Sequence, residues 1–89
     1  MSTKRPDPLD VMVGAKIRVF RIHRGVSQTD LAEQIGVTFQ QVQKYETGMN
    51  RVGASRLSRI ATVLGVSIGE LFESSGDKLA DATSPFRLL

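Results

Sequence analysis

Apolar residues recur along most of the chain at spacings of three and four. Polar residues fill the gaps, and each recurring stretch stops at or near a glycine. Val13, Ile17 and Phe20 stand at i, i+4 and i+7 and predict a first helix over residues 11–24, with Asp10 as its N-cap and Gly25 closing it. Pro6 and Pro8 lie among polar residues and suggest an extended arm over 1–10. Ser27 caps a second helix, with Asp30 three residues on as a weaker form of the capping box. Leu31, Ala32 and Ile35 form its inner face, and Gly36 ends it. Thr38 caps a third helix, Phe39 to Thr47, with Val42 and Tyr45 inward and Gly48 after its end. A loop over 49–53 leads to a fourth helix from Ala54 to Leu64, striped by Leu57, Ile60, Ala61 and Leu64 and closed by Gly65. Ser67 and Glu70 have the spacing of a capping box for a short fifth helix carrying Ile68, Leu71 and Phe72. No stretch of alternating apolar and polar residues competes, so the expected fold class is all-α.

The segment from Gln28 to Thr47, QTDLAEQIGVTFQQVQKYET, sets two short helices across a tight turn. Ala32 falls where the helices cross, and a larger side chain would hold their backbones apart. Gly36 falls where the chain must turn, and glycine reaches positive φ without steric cost. Val42 fills the wedge between the helices. These constraints, at offsets +4, +8 and +14 from Gln28, define a helix-turn-helix.

Composition narrows the function classes. The 89 residues bury one modest core and form one domain. No apolar run approaches the ~18 residues that suggest a membrane span, and MSTKRPDP lacks the apolar region of a secretory signal. There is no cysteine and a single histidine, His23, which is expected to be solvated on the first helix. Thiolate metal sites and cysteine nucleophiles are therefore excluded. Neither GxGxxG nor GxxxxGK[ST] occurs. The expectation is a non-enzyme with no cofactor, metal or membrane, working in the cytoplasm. The net charge of +3 conceals an asymmetry: residues 16–59 carry eight basic and three acidic side chains, a net +5, whereas 60–89 sum to −2. A basic region beside an acidic end suits a polyanion partner.

SQTDLAEQIGV, the YETG that follows, and LSRIATVLGVS resemble the Cro- and phage-repressor-like helix-turn-helix domains, also called the Xre type. The resemblance covers residues 11–73, with the motif at 28–47. It implies a compact five-helix bundle of lambda-repressor-like fold that binds near-palindromic double-stranded operator DNA, usually as a homodimer, and regulates transcription in a bacterium or phage, at the nucleoid. TFQQVQKYE followed by NRVGASRL looks like one bacterial regulator subgroup.

The residues of the third helix agree with that implication. A 100° step per residue sets Gln40, Gln43, Lys44 and Thr47 opposite Val42 and Tyr45, with Phe39 and Gln41 flanking. A glutamine amide pairs bidentately with adenine, and lysine reaches guanine O6 and N7. Phe39, Gln40, Gln41, Gln43 and Lys44 are thus the candidate base readers. Phe39 suits either partial burial or a thymine methyl. Ser27 and Gln28 stand where free N–H groups and the helix dipole favour phosphate. Thr38, Thr47, Asn50, Arg51, Ser55 and Arg56 complete the candidate phosphate set. The resemblance also implies a partly buried ion pair between Arg21 and Glu46, tying the third helix to the first.

Residues 74–89 fall outside the family core. Their apolar Leu79, Phe86, Leu88 and Leu89 fit either a loose tail or a contact surface, including one for a dimer begun by Leu71 and Phe72. A toxin-binding antitoxin that represses its own operon through the same fold, its small protein partner held by this tail, is the first alternative function. A protein-interaction adaptor without DNA binding is the second.

Overall fold

The computed structural model describes residues 5–73. Five helices follow one another: α1 Pro8–His23, α2 Gln28–Ile35, α3 Phe39–Thr47, α4 Ala54–Leu64 and α5 Ile68–Leu71. No strand occurs among the described residues. α1 packs mainly on α3, α2 on α3 and α4, and α5 against α4 and α1.

One core joins all five helices. Val13 and Ile17 come from α1, Leu31, Ala32 and Ile35 from α2, Val42 and Tyr45 from α3, Leu57, Ile60, Ala61 and Leu64 from α4, and Leu71 from α5. α2, α3 and α4 contribute the stripes their apolar spacing predicts, whereas α1 and α5 contribute part of theirs. Phe20 is only partly buried and packs at the edge of the core, with the Lys16 ammonium 5.4 Å from its ring centroid.

The helix-turn-helix has the predicted geometry. The Ser27 hydroxyl accepts the Asp30 N–H, and the Thr38 hydroxyl accepts the Gln41 N–H, each at 3.0 Å. Gly36 lies at φ 77°, and both its own N–H and that of Val37 donate to the Ala32 carbonyl, at 2.9 and 3.0 Å. A side chain at position 36 would be strained in that conformation. The Ser67–Glu70 capping box forms reciprocally.

Two expectations require correction. α1 starts at Pro8, with Asp7 as its N-cap, so residues 8–10 belong to the helix and not to an arm. Proline is suited to the first helical position, where its missing N–H has no partner to lose. The Asp7 carboxylate accepts the Leu9 N–H at 2.7 Å, and Asp10 sits inside the first turn, where its charge complements the helix dipole. At the other end, Leu71 is fully buried in the chain's own core and is not part of an outward interface, whereas Ile68 and Phe72 remain about 40% exposed. A helix of four residues presents only one side to the bundle, and Leu71 occupies it. The Leu79–Leu89 contact surface lies outside the described residues.

Candidate nucleic-acid interface

α3 is set in the bundle by a buried ion pair. Arg21 and Glu46 are each only 7% exposed. Arg21 Nε donates to Glu46 Oε2 at 2.6 Å and Nη2 to Oε1 at 3.2 Å, a two-point contact. Arg21 Nη1 donates to the Val26 carbonyl at 2.9 Å, which holds the guanidinium against the α1–α2 turn. Gln28 Nε2 donates to Glu46 Oε1 at 2.9 Å. One carboxylate on α3 therefore gathers donors from α1 and α2. Its charge and lone pairs are satisfied, as burial requires.

α1 and α3 also approach very closely at Gly14. A Cβ there would run into the Tyr45 carbonyl oxygen and would stand 2.8 Å from that of Glu46. Both obstacles are backbone, so no side-chain rotation relieves them.

With Val42, Tyr45 and Glu46 buried, most of the rest of α3 faces out. Gln40, Gln43 and Lys44 are exposed, and among the described residues their side chains make no hydrogen bond to the rest of the chain. Their donors and acceptors are free for a ligand. Gln41 is half-buried, and Phe39 is 39% exposed at the rim of the face.

The candidate phosphate residues separate into groups. Ser27 and Thr38 use their hydroxyl lone pairs as caps, which leaves each O–H free to donate. Gln28 has one amide N–H on Glu46 and a second to spare. Thr47 is exposed and donates to the Lys44 carbonyl at 3.2 Å. Gln28, Gln43, Glu46 and Thr47 line one shallow cleft of about 460 Å³, together with Arg18, a residue that the motif alone does not single out. Its signal was its place three residues before Arg21, on the same side of α1.

Arg51 is drawn elsewhere. Its Nε donates to Asp10 Oδ2 at 3.1 Å, and its Nη2 lies 3.6 Å from Asp7 Oδ2. Arg51 shares a separate cleft of about 320 Å³ with Leu9, Val13, Val52, Leu57 and Phe72. Asn50 is exposed, and its backbone N–H donates to the Lys44 carbonyl at 3.3 Å. Ser55 and the half-buried Arg56 open α4, whose N-cap Gly53 supplies no side-chain acceptor.

A family model described as helix-turn-helix matches residues 17–71, most of the bundle just described. The chain belongs to the helix-turn-helix family. It is 47% identical over 88 residues to an uncharacterised HTH-type transcriptional regulator of Sinorhizobium medicae, covering 91% of this chain and 63% of that relative. The chain thus spans less than two thirds of that relative's length. Among solved structures, a hypothetical transcription factor, NHTF from Neisseria, superposes with a TM-score of 0.75 at 27% identity, over 89% of this chain and 93% of that one. SinR, a master regulator of biofilm formation solved in complex with DNA, superposes with a TM-score of 0.63 at 28% identity, over 70% of this chain and all of that one. Among the described residues of this helix-turn-helix chain, no helix is long and apolar enough to cross a membrane.

Proposed function

We propose that this chain is a sequence-specific DNA-binding transcriptional regulator, acting as a repressor on nucleoid DNA in the cytoplasm. The observation that carries the reading is the free amide and ammonium face of α3, projected from a helix whose other side is held by the buried Arg21–Glu46 pair. SinR, of the same fold, is a DNA-bound regulator, and the Sinorhizobium relative has a regulator's name.

In this reading α3 enters the major groove. Gln40, Gln41, Gln43 and Lys44 read base edges, with Phe39 against a thymine methyl. Ser27, Gln28, Thr38 and Thr47 hold the flanking phosphates, and Asn50, Ser55 and Arg56 extend the backbone contacts; these fix register and carry no sequence information. Arg51 joins them only by leaving Asp7 and Asp10. The chain works as a homodimer on a near-palindromic operator, its two recognition helices about 34 Å apart. No cofactor and no catalytic step enter this activity.

Selecting bound duplexes from a random DNA pool tests the reading. The expected result is a short motif repeated in inverted orientation with its halves one helical turn apart. A pool that remains random after repeated rounds would refute sequence-specific binding.

A further inference from the structure

Four cationic side chains lie on α1 or at its C-cap: Lys16, Arg18, Arg21 and Arg24. Three are engaged in the molecule's own structure. Lys16 lies over the Phe20 ring, Arg21 is buried on Glu46, and Arg24 Nη2 donates to the Gly65 carbonyl at 3.3 Å. Arg18 differs. Its side chain is 58% exposed, and its Nη1 stands 3.9 Å from Glu46 Oε1, beyond hydrogen-bond distance.

That carboxylate oxygen is already taken by Arg21 Nη2 and Gln28 Nε2. Two guanidiniums face one carboxylate, so one positive charge is left over. It belongs to Arg18, because Arg21 holds the two-point contact. Glu46 is buried, but the Arg18 guanidinium is exposed and stands beyond hydrogen-bond distance, so solvent screens the pair and Glu46 steers the guanidinium without consuming it. The cleft beside it is lined by Gln28 from the start of α2 and by Gln43 and Thr47 from α3.

We propose that Arg18 is a phosphate-binding residue of the DNA interface, supplied by α1 and aimed by Glu46 at the backbone that passes between the start of α2 and the end of α3. The role rests on the DNA-binding reading and deepens it. A guanidinium with most of its donors free can take a phosphate oxygen pair in a bidentate contact. Such a contact strengthens binding to all duplexes alike and releases a counterion.

The test measures affinity of the wild type, Arg18→Ala and Arg18→Lys for a selected operator duplex and a random duplex across a salt series, with thermal denaturation of each protein. Arg18→Ala is expected to weaken both duplexes by about tenfold and to reduce the salt slope by about one, with a melting temperature close to the wild type's. Arg18→Lys is expected to restore most of the slope. Wild-type affinity and slope in Arg18→Ala overturn the role, as does a loss of affinity confined to the operator with an unchanged slope. A fall in melting temperature with no change in slope overturns it too, by making Arg18 structural. A wild-type protein with no salt-dependent affinity for either duplex overturns the DNA-binding reading itself, and this role with it.

Discussion

Position 14 shows how tightly single residues set α3 against α1. Glycine inside a helix costs roughly 0.5–1 kcal/mol relative to alanine, so a substitution judged by helix propensity alone should stabilise α1. The carbonyls of Tyr45 and Glu46 occupy the space a Cβ needs. Gly14→Ala is expected to lower stability by roughly 1–3 kcal/mol, the usual cost of overpacking, and to weaken DNA binding by displacing α3. A melting temperature at or above the wild type's in thermal denaturation would contradict the close approach. On the outer face of α3, Gln40 has its amide free. Gln40→Ala should cost roughly 1–3 kcal/mol on the selected operator and relax discrimination at one base position. The exposed face that carries Gln40 was legible in sequence because helical spacing separates it from Val42 and Tyr45. Gly14 was not, since nothing local distinguishes a glycine kept for a neighbour 31 positions away from one merely tolerated.

Among the elements, α2, α3 and α4 carried clear boundaries in the sequence. Each has a polar cap or a glycine at its start, a left-handed glycine at its end and an apolar stripe between. The start of α1 did not. Pro8 suggests a break until Asp7 is recognised as a cap that accepts an N–H with proline in the first turn. Asp10, expected as that cap, instead binds Arg51 and fastens the loop after α3 to α1. Arg51→Ala should therefore loosen this junction by no more than ~1 kcal/mol, because the Arg51 side chain is 71% exposed; urea denaturation reads the difference. If Arg51 instead grips phosphate, the same variant lowers the salt slope of DNA binding.

The Arg21–Glu46 pair links the elements most strongly. Among the described residues, removing Arg21 leaves the buried carboxylate with one hydrogen bond, from Gln28, and the Arg18 guanidinium at 3.9 Å. Arg21→Ala is expected to cost roughly 3–5 kcal/mol, a large part of the ~5–15 kcal/mol that holds a domain folded. An unchanged melting temperature would contradict a buried pair. The sequence contained both partners but not Gln28 as a third participant, because the link depends on how the turn after α1 brings the start of α2 over Glu46.

For the whole molecule, the +5 of residues 16–59 is divided by the fold into charges that structure consumes and charges left for a partner. Arg21, Arg24 and Arg51 are engaged internally, whereas Arg18 and Lys44 face outward. Affinity for random duplex should fall steeply as salt rises, with a slope of about −0.9 for each phosphate contacted. The family and the helical fold were visible in the motif. The division of charge was not, because it depends on which carboxylate each arginine meets.

The proposed function depends above all on the reading of base sequence by α3. Parallel selection from one random DNA pool with the wild type and with Gln40→Ala tests it most directly. An inverted-repeat motif is expected for the wild type, and for the variant the same motif with discrimination lost at one symmetric pair of positions. Identical motifs from the two proteins, with equal preference at every position, would contradict it.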